Sequence, residues 1–333
     1  TGNIHMDYSD AAGTLLLDVA NKKWSGEICE LTGVDINLCP PLVESHEWVG
    51  NITEDFAKET GLSTATKVFA GGADNACGAI GSGILSEGST LCSIGTSGVV
   101  LSYEGSKNRD FQGKVHYFNH AKEDAYYTMG VTLAAGYSLT WFKETFAKDE
   151  PFDTLLEDLD DVPVGANGLL FTPYIVGERT PHADATIRGS FIGVDSSHER
   201  KHFVRAVIEG ITFSLAESIE IFRESGKTID SIISIGGGAK NESWLQIQAD
   251  IFNAKVTKLS SEQGPGIGAC MLAAYGCGWY DSLQQCSESF LEKVKTYEPN
   301  PENVKKYQQL FQLYKQIYGQ TKELNAELDA FRN

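Results

Sequence analysis

The stretch Val68 to Gly98, VFAGGADNACGAIGSGILSEGSTLCSIGTSG, decides the fold of this chain. A short apolar run, Val68 to Ala70, meets two glycines, and Asp74 follows just before a small-residue segment, Ala76 to Ile84, that reads as a helix. Lys67 to Ala73 is then a strand that delivers an acid to a strand-to-helix turn. Further on, a second strand, Ser89 to Ile94, breaks into Gly95-Thr96-Ser97-Gly98 and resumes over Val99 to Tyr103, the pattern of a β-hairpin with a glycine at each end of its turn. Such a turn can offer backbone N–H groups and a hydroxyl to an anion. A carboxylate and a phosphate-sized nest thus lie close in sequence, although a glycine-rich turn with one Asp is also how an ordinary surface turn is built. The turn is not a Walker loop, because no Gly-Lys-Ser/Thr follows, and it lacks the glycine spacing of a nucleophile elbow.

Composition narrows the class. With 333 residues, 41% of them hydrophobic, the chain can bury a large core and is expected to hold more than one domain. A formal net charge of -18 argues against nucleic acid and against an anionic membrane as partners, since both demand a basic footprint. Any phosphate must be gripped locally. No apolar run approaches bilayer length and the N-terminus, TGNIHMDYSD, has no signal-peptide pattern, so the expected location is cytoplasmic. The seven cysteines are scattered without a Cys-x-x-Cys pair and read as reduced, mostly buried apolar residues.

From the N-terminus, Ser9-Asp10-Ala11-Ala12-Gly13-Thr14 offers a helix N-cap at Ser9 or Asp10, Trp24 to Thr32 an amphipathic helix closed by Gly33, and Glu54 to Gly61 a short helix with a glycine stop. Beyond the hairpin, His116 and His120 stand four apart on a predicted strand, where they share a face without converging on a metal, and no acidic or Cys partner accompanies them. Met129 to Trp141 has the small-residue pattern of a packed helix entered by a turn. The acidic run Glu150 to Val162 reads as a solvated helix face rather than a cation site. Gly168 to His182 is a buried strand and a loop, Gly177-Glu178-Arg179-Thr180-Pro181-His182, in which Arg179 either faces a cleft or clamps a carboxylate such as Glu178. His202 to Ser225 is a long helix with Phe203, Val207, Ile211, Leu215 and Ile219 on a core face. Ser231 to Asn241 is a strand that breaks into three glycines before the helix Glu242 to Phe252. Glycines there let a nucleotide approach the backbone, and the helix N-terminus favours an anion or a polar ring edge. No Gly-x-Gly-x-x-Gly with a downstream acid completes a dinucleotide fold. Gly264 to Gly278 is a helix built for close packing, and Pro301 to Asp329 an amphipathic helix expected to cover the core, with a homodimer contact as the alternative.

The span Gly189 to Glu209, GSFIGVDSSHERKHFVRAVIE, places Gly189, Phe191, Gly193, His202, Phe203, Ala206 and Glu209 at the spacing of the C-terminal signature of the FGGY carbohydrate kinases, and with the stretches above the chain resembles that family over essentially its whole length. The resemblance implies an α/β, actin-like ATPase (ribonuclease H-like) fold, with the C-terminal part of a sugar-binding first lobe in residues 1–85 and a complete nucleotide-binding second lobe in 86–333. It implies Asp74 as catalytic base, Asn75 and Arg179 as sugar contacts, and a sugar cleft shaped partly by the Ser9 to Thr14 run. It further implies phosphate contacts at Gly95, Thr96 and Ser97, a nucleotide pocket lined by Gly136 and Thr140, and adenosine contacts at Gly237, Gly238 and Asn241. ATP and Mg2+ are the implied cofactors, the metal reaching Asp74 by way of Mg-ATP. The expected reaction is transfer of the ATP γ-phosphate to a sugar hydroxyl, D-xylulose foremost, with gluconate, ribulose and glycerol as other acceptors of the family. A nucleotide-binding actin-like chain without catalysis is the rival from another class. Thr1 is not an initiator methionine, and the family's first phosphate hairpin, of the Asp-x-Gly-Thr type, is expected upstream of it, so catalysis is expected to need that segment.

Overall fold

A computed structural model describes residues 1–106, 110–260 and 264–332. The predicted hairpin sits at the centre of a seven-stranded sheet. Its arms are β1 (Ser89–Ile94) and β2 (Gly98–Glu104), antiparallel, with Ile94 opposite Gly98. The other strands are β3 (His116–Asn119), β4 (Tyr126–Thr132), β5 (Ser231–Gly236), β6 (Lys255–Leu259) and β7 (Lys293–Tyr297). The order across the sheet is β7-β6-β5-β1-β2-β4-β3. β5 runs parallel to both β1 and β6, while β1, β2 and β4 form an antiparallel ladder. This mixture is the ribonuclease H-like arrangement the resemblance implies.

Both sheet faces are covered, which is why the central strands are apolar on both sides. On one face the core gathers Leu91 and Leu101 with Ala76 and Ile80 of α1 (Asp74–Ile80) and Met271, and on the other Cys92 and Val100 meet Leu139 of α2 (Gly136–Phe146) and Val207 and Ile211 of α3 (Arg200–Glu224). Helix α3 is more deeply placed than its one-faced apolar pattern suggests: every residue from Val204 to Ile219 is buried. The reason is a second layer, α4 (Glu242–Phe252) and the C-terminal α6 (Pro301–Asp329), which closes over its far side. There Arg205 donates to Glu209 Oε1 at 2.7 Å and to the Tyr307 hydroxyl at 2.7 Å, and Tyr307 donates to the same carboxylate oxygen at 2.7 Å. The buried charges are therefore paired and hydrogen-bonded across α3 and α6, as burial demands.

Several expectations are corrected. Met129 to Thr132 is strand, not helix, because β4 is hydrogen-bonded on both edges, to β2 and to β3, and the helix begins only at Gly136. The acidic run is not one solvated helix: it breaks into Phe152–Leu155 and a 3-10 turn, Leu159–Asp161, whose Leu155, Leu156 and Leu159 enter the core. The N-cap near the chain start is Asp7, not Ser9 or Asp10. Finally, α1 begins at Asp74 itself and ends at Ile80, shorter than Ala76 to Ile84, and the strand before it is only Lys67–Phe69, since Gly71 takes φ +74° and turns the chain.

Helix α5 (Gly264–Gly276) packs on α1 with the two backbones in contact. A Cβ placed on Gly268 would lie 1.8 Å from the Cys77 carbonyl oxygen, and one on Gly81 would lie 2.0 Å from that of Gly264. Only hydrogen fits at these two positions. Among the described residues no helix is long and apolar enough to cross a membrane.

Candidate nucleotide cleft and acidic site

A cavity of about 460 Å³ opens where β1, α2 and β5 end. It is lined by Gly95 and Thr96 from the hairpin turn, Gly136, Leu139 and Thr140 from α2, Phe152, Asp153 and Leu156, and Gly237, Gly238, Asn241 and Trp244 from the glycine turn and the start of α4. Every residue assigned by resemblance to nucleotide binding except Ser97 lines this one space, although they come from three separate segments. Phe152, Asp153 and Trp244 were not singled out from the sequence. Trp244 is buried with its indole N–H donating to Thr212 Oγ1 at 3.0 Å, so it forms a fixed wall. A larger hollow of about 900 Å³, rich in serines such as Ser82, Ser89 and Ser287, lies elsewhere and contains none of the predicted site residues.

The hairpin turn is held from behind by α2. Ala135, at the helix N-cap, supplies no side-chain cap. Instead the Gly136 N–H donates to Gly95 O at 2.8 Å and the Tyr137 N–H to Thr96 O at 3.1 Å, which satisfies two of the helix's otherwise orphan donors. The Gly95 N–H is used within the turn, donating to Ser97 O at 3.0 Å. Among the described residues no acceptor takes the N–H or the hydroxyl of Thr96 or Ser97, and both residues are exposed. They are the turn's uncommitted donors, of the kind an anion can accept. Gly136 permits the docking, because a Cβ there would lie 2.4 Å from Gly95 O. Gly136→Ala is expected to push the turn away and weaken ADP binding by about ten- to a hundredfold, on the scale of the 1–3 kcal/mol that overpacking costs; isothermal titration with ADP checks this.

Asn241 departs in part from its expected role. Its side-chain Oδ1 caps α4 by accepting from Trp244 N–H at 2.9 Å, which leaves the NH₂ and one lone pair of that amide for a ligand.

Asp74, Asn75 and Arg179 do not line the cleft. Asp74 is exposed at the first position of α1, and its Oδ1 accepts from the Asn75 N–H at 2.6 Å. Burial, with the charges of Asp74, Asp7 and Asp10 added, raises the Tyr127 phenol, and burial likewise pushes the Cys77 thiol up to about 11. Three carboxylates therefore gather at the Tyr127 end of β4. Arg179 is exposed and touches Glu178 only through its backbone, its N–H donating to Glu178 Oε1 at 2.7 Å, so the guanidinium does not clamp that carboxylate. Its loop docks at the other end of β4, with Thr180 N–H donating to Val131 O at 3.0 Å. Tyr127 and Val131 are four residues apart along the strand, roughly 13 Å at strand rise, so the Asp74 and Arg179 segments meet β4 toward its opposite ends. Glu178, read from the sequence only as a carboxylate for Arg179 to clamp, anchors that loop: it is buried, accepts from Leu133 N–H at 3.1 Å and Ser214 Oγ at 3.2 Å, and burial pushes its carboxyl up to about 7.

His116 and His120 do not meet. His120 is buried, its Nδ1 accepts from Lys122 N–H at 2.9 Å, and burial lowers it to about 3, so it is neutral. Among the described residues no three His, Cys, Asp or Glu side chains are grouped to hold a metal.

A sheet of ribonuclease H-like order with a glycine-walled cleft beside it and an acid on a strand-to-helix turn defines an actin-like ATPase fold. The model of the FGGY family of carbohydrate kinases, C-terminal domain, matches residues 90–277, and that of the N-terminal domain matches residues 1–81. The chain belongs to the FGGY family of carbohydrate kinases. It is 63% identical over 332 residues to the xylulose kinase of Bacillus subtilis, covering 100% of this chain and 66% of that protein. Among solved structures, a ligand-bound xylulose kinase from Lactobacillus acidophilus superposes with a TM-score of 0.93 at 27% identity, covering 98% of this chain and 66% of the other. A gluconate kinase from the same organism superposes with a TM-score of 0.93 at 28% identity, covering 100% and 67%. The chain thus spans about two thirds of the length of these relatives.

Proposed function

We propose that this chain is part of an ATP-dependent xylulose kinase, in which Asp74 is the general base and the cleft between Gly95 and Asn241 binds the nucleotide. The observation that carries the reading is the convergence of Gly95, Thr96, Gly136, Thr140, Gly237, Gly238 and Asn241 on one cavity in a chain 63% identical to a protein named xylulose kinase. In this reading residues 1–85 hold part of the sugar-binding lobe and residues 86–333 form the nucleotide lobe.

The chemistry follows from the parts. The Asp74 carboxylate accepts the proton of a sugar hydroxyl as that oxygen bonds to the γ-phosphorus. The bond from the γ-phosphorus to the bridging oxygen breaks, and ADP leaves with that oxygen. The unpaired N–H and hydroxyl groups of Thr96 and Ser97 bind phosphate oxygens, and lobe closure excludes water. Asp74 is a single exposed carboxylate, a donor suited to Mg2+ carried in on phosphates rather than caged by side chains. When bound, the metal neutralises phosphate charge. Asn75 and Arg179 contact the sugar from the two ends of β4.

The test is ADP release by the intact protein with Mg-ATP and, in turn, D-xylulose, D-ribulose, L-ribulose, gluconate and glycerol. Turnover highest with D-xylulose is expected. A preference for gluconate would reassign the substrate, and ATP hydrolysis indifferent to every sugar would favour a nucleotide-driven actin-like protein instead.

A further inference from the structure

The turn before Asp74 is held at two of its residues by serines from earlier in the chain, Gly71 by Ser45 and Ala73 by Ser9. Asp7 is only 5% exposed, yet its carboxylate is fully engaged. Its Oδ2 accepts from the Ser9 N–H at 2.9 Å, from the Ser9 hydroxyl, and from the Ser45 hydroxyl at 2.8 Å, while Oδ1 accepts from the Asp10 N–H at 3.2 Å. Because a carboxylate can only accept, the single hydroxyl hydrogen of Ser9 must point at Asp7. The lone pairs of Ser9 Oγ are thereby left to face outward, and one of them accepts the Ala73 N–H at 3.0 Å. Ala73 is the N-cap residue of α1 and has no side-chain oxygen with which to cap it. Next to it, a Cβ on Gly72 would fall 2.9 Å from Ser9 Oγ, and the Gly71 N–H donates to Ser45 O at 2.9 Å. Among the described residues the Asp74 carboxylate accepts one hydrogen bond, from the neighbouring Asn75 N–H, so its place in space depends on the backbone that launches it.

We infer that Ser9, oriented by Asp7 and Ser45, is a positioning residue for Asp74: it fixes the Gly71-Gly72-Ala73 turn and through it the carboxylate that accepts the sugar proton. The inference rests on Asp74 being that base. A reacting group displaced by about 1 Å loses on the order of a hundredfold in rate.

The experiment is a mutant cycle in the intact protein, with kcat, the KM for each substrate and the thermal midpoint measured for Ser9→Ala, Asp74→Asn and the double variant. Ser9→Ala is expected to lower kcat by about ten- to a hundredfold with the KM for ATP unchanged, and to cause no further loss in the Asp74→Asn background. Ser45→Ala, a milder change that removes one donor to Asp7, is expected to show a smaller loss with the same non-additivity, and it decides the matter should Ser9→Ala not fold. Wild-type kcat in the Ser45→Ala and Ser9→Ala proteins, or an equal fold-loss with and without Asp74, would overturn the positioning role and leave Asp74 as base intact. Full activity in Asp74→Asn alone would instead overturn the assignment of the base, and the positioning role with it.

Discussion

Asp74→Asn is expected to lower kcat for sugar phosphorylation by about 10²–10⁴-fold, the usual contribution of the positioned general base proposed here, with ADP binding as before. The amide has the shape of the carboxylate and can still accept the Asn75 N–H, so the start of α1 is preserved. What it cannot do is take a proton at neutral pH. The cleft that receives ADP is lined by other segments, and no atom of Asp74 belongs to it. Coupled-assay kinetics together with calorimetric titration of ADP separate the two effects. A variant that loses rate and ADP affinity together would place Asp74 in nucleotide binding, contrary to the assignment.

Gly268→Ala is expected to destabilise the protein by about 3 kcal/mol or more, at the upper end of what an added methyl costs in a packed core. The methyl would have to occupy space 1.8 Å from the Cys77 carbonyl oxygen and 2.6 Å from its carbon, both backbone atoms that no rotamer change can move. Relief requires the helix of Gly264–Gly276 to slide off α1, which begins with Asp74. Stability and kcat should therefore fall together. Gly266→Ala is the control, since a Cβ there meets nothing within 4 Å. Denaturant unfolding of the two variants beside the parent gives the comparison, and equal stability of all three would show that the two helices pack more loosely than described.

How much of this was legible depended on how local the determinants are. The hairpin of β1 and β2 could be read because its turn carries its own glycines, and α6 could be read to the residue because Asn300 caps it and Pro301 opens it. Met129 to Thr132 misled because a strand buried on both faces loses the alternation that marks strands, and its Gly, Val and Thr resemble a tightly packed helix. The nucleotide cleft was legible only through resemblance, since no periodicity links Thr96 to Thr140 or Gly238. Ser9 and Ala73 are 64 residues apart, and nothing in either neighbourhood announces the other. Glu178 was legible only as a partner for Arg179, because the groups it actually anchors to, Leu133 and Ser214, lie in segments 45 and 36 residues away.

The docking of α2 on the hairpin turn has an electrical consequence. In a trans peptide unit the C=O and the N–H point in opposite directions. The unit whose carbonyl belongs to Gly95 carries the amide of Thr96, and the one whose carbonyl belongs to Thr96 carries the amide of Ser97. Since both carbonyls accept from the first amides of α2, both partner amides point away from the helix, as the far ends of two short hydrogen-bonded chains. Each link polarises the next, by about 10–30% per bond. The positive end of α2 is thus not hidden by the turn that covers it: it is conducted through two peptide planes and re-emerges at Thr96 and Ser97. In a chain of net charge -18, a relay of this kind offers partial positive charge at a turn that carries no basic side chain of its own, in a cleft whose wall also includes Lys240.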